Sequence, residues 1–484
     1  MRIQLTKIVT VDENDLPGLQ KNHIFAGYFS NPADIKFCNM SRLVSIRSIS
    51  IRLISMLAAM LSLMCSCDVS DQSFYDVRDG RFVKDGKEIY FIGANMWYGA
   101  LMASSGPGGD RQRLAHELDS LKSMGITNLR VLVGAEGEEG TPYKVAPVLQ
   151  KAPGQYDTVL LEGLDYFMSE LGRRGMTAVL YLNNTWEWSG GYGTYLEWAG
   201  SGKCPLPVDD GWDAFRDFAA QFVTNDKAKA MFADHVRAIV SRTNTVTGVS
   251  YKNDPAIFSW QICNEPRSLD PSDSSKTAFR DWIWSTAALI KSIDPNHMVS
   301  TGSEGYYGCE VDMDLFEQVH SCPDIDYLNI HVWPYNWRWV DKDNLTDSTS
   351  VAIELSDKYI DMHLATAQKL GKPIVIEEFG YPRNGLGYSK DVPVTARDIY
   401  YSHMFGRLLE SAAEKGVIGG VNFWAWGGSA SQSAEKLWWH PGDEFCGDPA
   451  QEPQGFYSVY SSDTSTINVI RNAESRLSEL GYRD

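Results

Sequence analysis

Two acidic residues close apolar runs that lie far apart in the chain. Glu265 ends Ile262-Cys263-Asn264-Glu265 before Pro266, and Glu378 stands in Ile376-Glu377-Glu378-Phe379-Gly380. Two carboxyl groups that face each other across a bond are what glycosidic cleavage requires, one protonated and the other ionised. At a separation of about 5 Å the ionised group attacks the anomeric carbon directly and configuration is retained. Either Glu alone reads as a loop acid. The pair gains weight from Arg130, in Leu129-Arg130-Val131. Pointing inward, Arg130 would hold Glu378 ionised through a charge-assisted pair. The resulting negative charge would raise the pKa of Glu265, as a general acid needs. Asn264 suits a sugar 2-hydroxyl, and Pro266 predicts an extended backbone at Glu265. Neighbouring strand residues face opposite ways, so Glu377 is read as structural.

Elements that could position these groups alternate along the chain. Short apolar runs at 89–94, 128–133, 177–182, 257–263, 298–301, 327–330, 373–377 and 419–424 read as eight strands. Amphipathic stretches at 110–124, 162–174, 213–242, 277–293, 352–370 and 396–415 read as helices. Basic residues before Gly125, Gly175, Gly371 and Gly416 mark helix ends. Strand–helix alternation of this length predicts an α/β fold, a single (β/α)₈ barrel with extended loops at the C-terminal face of the strands. That face is where a barrel collects its chemistry. The ends of the runs are polar or aromatic there: Asn183-Asn184-Thr185-Trp186, Asn264-Glu265, Ser303-Glu304, His331-Val332-Trp333, Glu377-Glu378 and Trp424-Ala425-Trp426. Trp97 and Trp186 are expected to line sugar subsites, while Trp188 and Trp198 are left open between cleft and core.

The net charge of -18 argues against nucleic acid and anionic membrane surfaces and is compatible with a neutral substrate. Arg42, Arg47 and Arg52 precede an apolar run, 54–64, and then Cys65-Ser66-Cys67. This reads as a lipoprotein-type signal over 40–67, with Cys67 the better lipidation candidate because small Ser66 precedes it. Residues 1–39 are then a mis-called start or a leader, 68–73 a short tether, and 74–484 the catalytic domain. Export to the cell envelope or secretion follows, with the membrane reached only through a lipid anchor. Of the five remaining cysteines, Cys309 and Cys322 are close enough in sequence to bridge, whereas Cys263 reads as a buried small hydrophobe. No spacing suggests a metal site or a cofactor, and a monomer is the default.

With these residues placed, the chain from about residue 74 onward resembles glycoside hydrolase family 5. The resemblance implies Glu265 as acid/base, Glu378 as nucleophile, and Arg130 and His331 as active-site partners. It also implies a tryptophan under the reacting sugar, Trp424 or Trp426. Gly93-Ala94-Asn95-Met96-Trp97-Tyr98, Asn264-Glu265-Pro266-Arg267, Ser300-Thr301-Gly302-Ser303-Glu304-Gly305 and the stretch 447–455 resemble the family's endo-β-1,4-mannanases. Among these, Arg267 is similar to a residue that binds sugar on the leaving-group side. Trp333 stands where relatives carry Tyr, and its N–H could donate to the nucleophile but not accept. The expected activity is retaining endo-hydrolysis of β-mannan. Alternatives are an exo-acting β-mannosidase or mannobiohydrolase, a β-1,4-glucanase, and a non-catalytic glycan-binding lipoprotein.

Overall fold

The computed structural model describes residues 73–431 and 437–482. The signal segment with Cys67, the stretch before it and nearly all of the tether lie outside the described residues. Eight strands form one parallel sheet: β1 (Phe91–Asn95), β2 (Asn128–Leu132), β3 (Thr177–Tyr181), β4 (Ile257–Gln261), β5 (Met298–Ser300), β6 (Leu328–Val332), β7 (Ile374–Phe379) and β8 (Ile418–Phe423). Each strand is buried along its whole length, as a sheet covered on both faces must be. Their order, β5-β4-β3-β2-β1-β8-β7-β6, places β5 and β6 at the seam. A parallel bridge between Ser300 and Tyr327, with the Asp326 N–H donating to the Val299 carbonyl at 2.8 Å, closes the seam. The sheet is therefore a (β/α)₈ barrel.

The crossovers are α1 (Arg111–Ser123), α2 (Thr158–Arg174), α4 (Asp226–Val240), α5 (Asp273–Ile293), α6 (Met313–His320), α7 (Thr349–Leu370) and α8 (Thr395–Glu414). Helix α9 (Thr464–Glu479) follows the last strand. The helix expected over 213–242 is two: α3 (Trp212–Ala219) precedes α4. The Asn225 side chain accepts from the Ala228 N–H and starts a new helix there, which hydrophobic periodicity alone does not reveal. At the end of α8 the left-handed position falls on Lys415 (φ 56°) rather than on Gly416.

The N-terminal end of the barrel is plugged by a three-stranded antiparallel sheet, Asp76–Arg78, Arg81–Lys84 and Lys87–Ile89. Its turns are Asp79-Gly80 and Asp85-Gly86, all four residues at positive φ, as two-residue hairpin turns demand. Phe82, fully buried, packs its ring 5.2 Å from those of Phe258 and Tyr327 and 6.0 Å from Phe91.

One irregularity shapes the opposite end. Between β6 and β7 the register runs Ile330 to Ile376 and then His331 to Glu378, which skips Glu377. The bulge cancels the alternation that would send Glu377 and Glu378 to opposite faces. Both carboxylates instead meet Arg130 inside the barrel.

Candidate active site

Arg130, fully buried on β2, organises the mouth. Its guanidinium donates to Gln261 Oε1 at 2.8 Å, Asn264 Oδ1 at 2.8 Å, Asn95 Oδ1 at 3.2 Å and the Glu378 carboxylate, and lies over the Tyr181 ring. Glu377 sits deeper, where the Gln261 amide donates to both of its oxygens at 2.7–2.8 Å. It is not among the residues that line the cleft, although it does not face away from Glu378 as strand alternation predicted.

Glu265 follows β4, and its carboxylate has two partners. His331 Nδ1 is 2.8 Å from one oxygen, and the Trp186 indole donates to the other at 2.5 Å. The same Nδ1 lies 3.2 Å from Glu378. One oxygen from each of the two glutamates and a ring nitrogen of His331 all fall within 4.8 Å of one another. A cation would find donors here, but Glu378 already faces a guanidinium, and the set is better matched to moving a proton.

The backbone expectation at Glu265 fails. Its φ is +49°, in the left-handed region, despite the following proline. Tertiary contacts impose the strain: the Glu265 N–H donates to the Gly302 carbonyl at 3.0 Å, and the Thr185 hydroxyl donates to the Glu265 carbonyl at 2.7 Å. Strain of this kind gathers where function fixes a side chain.

The expected charge polarity also reverses. Burial alone would raise the Glu265 pKa. The His331 hydrogen bond, the charges of His331 and Arg267 and the Trp186 N–H outweigh it and pull Glu265 down to about 2. Burial pushes Glu378 up to about 7, against the charges of His331 and Arg130. Burial disfavours a charged His331, yet Glu378 and the hydrogen bonds to Glu265 and Glu377 hold it up at about 9. Sequence spacing could not show that an imidazole stands against Glu265, or that Arg130 is shared among several acceptors. Between about 7 and 9 Glu378 is ionised and a proton rests on His331, 2.8 Å from the Glu265 carboxylate.

These groups open into a cleft of about 450 Å³ lined also by Asn264, Trp186, Arg267, Glu304, Trp333 and Trp424. Trp424 is therefore the cleft tryptophan of its pair. Trp426 is buried and donates to Glu117 at 2.9 Å. Asn264, 4% exposed, also donates to Asn184 Oδ1 at 3.1 Å. Trp333 lines the cleft edge-on to Trp424, but Glu378 is held by Arg130 and His331 rather than by its indole. Trp188 reaches the cleft, and Trp198 is not among its lining residues.

Trp97 does not line a subsite. It is 2% exposed, donates to the Gly447 carbonyl at 2.9 Å and packs edge-on to Trp188 and Phe445. Its place beside a strand end misled because the late loop folds over it. That loop hangs on Asp448, which accepts from the Gly455 and Tyr457 N–H groups at 2.7 Å and from Ser458. It presents Pro449, Gln451 and Glu452 to the cleft. Burial, then the charges of Asp448, Glu378 and Glu265, push Glu452 up to about 8. Sequence reasoning missed these three as individual residues, and also Trp212, Arg216, Asn336, Trp337 and Arg338. Only the one-turn spacing of Trp212 and Arg216 hinted at a shared face.

A carboxylate pair at this spacing, at the C-terminal mouth of a (β/α)₈ barrel, defines the machinery of a glycoside hydrolase. The profile described as GH family 5 beta-mannosidase-like matches residues 72–481. The chain belongs to glycoside hydrolase family 5. The crystal structure of a family 5 mannosidase from Rhizomucor miehei is 34% identical, with a TM-score of 0.78 over 85% of this chain and 99% of that one. Another structure of that enzyme, in complex with mannosyl-fructose, is 33% identical with a TM-score of 0.77 and the same coverage. Mannan endo-1,4-beta-mannosidase 1 of Oryza sativa subsp. japonica is 30% identical over 365 residues, 72% of this chain and 78% of that protein.

Proposed function

We propose that the protein is a retaining endo-β-1,4-mannanase that cuts internal β-1,4-mannosidic bonds of mannan, glucomannan or galactomannan. The observation that carries this reading is the carboxylate pair. Glu265 and Glu378 offer oxygens within 4.8 Å of each other, a separation that fits direct attack by one carboxylate and falls short of the roughly 6.5–9.5 Å gap of an inverting pair. The names of the relatives support the substrate.

In the proposed mechanism Glu378 attacks the anomeric carbon while Glu265 gives its proton to the leaving oxygen. Arg130 orients the nucleophile and offsets its charge, and His331 keeps a proton within reach of Glu265. Asn264 faces the reacting sugar, and Trp424 and Trp333 supply apolar walls. Glu265 then takes a proton from water, which releases the sugar from Glu378. Trp186, Arg267 and Glu304 hold the leaving-group side. Export as a lipoprotein anchored through Cys67 belongs to the same proposal, supported by the basic and apolar pattern before Ser66. Incorporation of labelled fatty acid, lost in Cys67→Ser, checks it.

Reducing-sugar release from linear mannan, beside carboxymethyl-cellulose and xylan, tests the activity. A spread of manno-oligosaccharides from mannan alone is expected. Mannose or one short product from the outset would replace endo action with an end-capped cleft. Mannan binding without release would remove the catalytic assignment of both glutamates.

A further inference from the structure

One arm of the cleft grows outward from the proton donor. Trp186 donates to Glu265, and Arg267 lies 5.4 Å over the Trp186 ring. Trp212 meets Trp186 edge-on at 5.7 Å, and Arg216 follows Trp212 by one turn of α3. On the facing side Glu304 pairs with Arg267 and accepts from the Trp337 indole at 3.0 Å, and Arg338 comes next. A general acid protonates the leaving oxygen, so an arm built around Glu265 holds the leaving group.

The charges of this cleft do not cancel. Its lining holds Glu265, Glu304, Glu378 and Glu452 against Arg216, Arg267 and Arg338. Glu378 is met by Arg130, Glu265 by His331 and Glu304 by Arg267. Glu452 is pushed towards its neutral form. Arg216 and Arg338, both exposed, then have no carboxylate partner among the described residues. Arg216 also faces Arg267, a like charge close enough to disfavour the protonated state of Arg267. Two guanidinium groups are thus left open in one arm of the cleft, in a chain whose net charge is -18. Guanidinium forks match a carboxylate in geometry as well as charge.

On the reading of the protein as a β-mannoside hydrolase, we propose that the leaving-group arm accepts an anionic sugar, a β-mannoside whose aglycone is a hexuronic acid, with its carboxylate held by Arg216 and Arg338. The wall of Trp186, Trp212 and Trp337 supplies the stacking surface, and the two arginines read the C6 carboxylate. The arm thereby separates a uronic acid from the neutral sugar of the same shape.

The test uses a matched pair, β-D-mannosyl-(1→4)-D-glucuronic acid and β-D-mannosyl-(1→4)-D-glucose, with linear mannan alongside. The expected result is a kcat/KM ratio of about tenfold in favour of the acidic disaccharide at low salt. The ratio shrinks as salt screens the arginines, and it collapses towards one in the Arg216→Gln/Arg338→Gln double variant. Equal rates on both disaccharides, or preference for the neutral one, overturn the proposal while mannan cleavage leaves the activity assignment standing. If neither disaccharide is cleaved, whether or not mannan is, calorimetric titration with methyl glucuronide and methyl glucoside decides the arm separately. Preferential binding of the glucuronide, lost in the double variant, supports it, and equal binding overturns it.

Discussion

The two ends of the barrel are held together by different physics. At the closed end Phe82 meets Phe91, Phe258 and Tyr327 ring against ring. At the open end Arg130 meets two carboxylates and three amide oxygens through directed hydrogen bonds. Apolar contact scales with area and degrades gradually as atoms are removed. A buried charge network has no such tolerance, because each lost partner strands another charged group. The open end is thus where a one-atom change alters chemistry, and the closed end is where it alters only stability.

The sharpest way to separate the two ends is at the carboxylates. Glu378→Gln is expected to lower kcat on mannan by on the order of 10⁴-fold or more, with the fold intact by circular dichroism. Glu265→Gln should cost roughly 10²–10⁴-fold on mannan. With an aryl mannoside whose leaving group needs no proton, however, the Glu265→Gln variant should still show a burst of released phenol. Equal loss for both variants on both substrates would break the assignment of roles.

Phe82→Ala tests the opposite end. Deletion of a buried phenyl ring costs about 3–5 kcal/mol, so the melting temperature should fall by several degrees. kcat on mannan should change by less than about twofold, since Phe82 acts far from the cleft. A large kcat loss at unchanged stability would show that the plug shapes the mouth and would erase the contrast.

The pH profile probes the open end more gently. Glu378 must be ionised, and its raised value means that the active form is lost as pH falls through about 7. Glu265 must carry a proton, and the proton it shares with His331 leaves as pH rises through about 9. The expected kcat/KM profile is a bell between these limbs. In His331→Asn the alkaline limb should move down towards the carboxyl range, because the imidazole no longer stores the proton. An unmoved limb would mean that His331 only orients Glu265.

The same contrast explains what could be read in advance. All eight barrel strands were legible because each is a short apolar run, and Glu265, Glu378 and Arg130 were legible because charge at the end of such a run needs a reason. The N-terminal plug was missed although Asp79-Gly80 and Asp85-Gly86 signal hairpins, since its strands are short and only partly apolar. Trp97 was misplaced because burial under the Asp448 loop is a contact between residues 350 positions apart. The polarity of the two glutamates was hidden for a related reason. It depends on which neighbour stands within 3 Å, and spacing along the chain carries no such distance.

The smallest effect concerns the cysteines, where sequence proximity also misled. Cys309 and Cys322 seemed near enough to bridge, yet both are free and buried, as are Cys204, Cys263 and Cys446. Helix α6 (Met313–His320) lies between the two in the chain, and neither thiol is bonded to the other. Burial also pushes the Cys309 thiol up to about 12 and raises that of Cys322, which keeps thiolate scarce. Reductant should therefore shift the melting temperature by less than about 1 °C, against the several degrees expected for Phe82→Ala. A drop of several degrees would mean that a covalent bridge shares with apolar packing the work of holding the domain together.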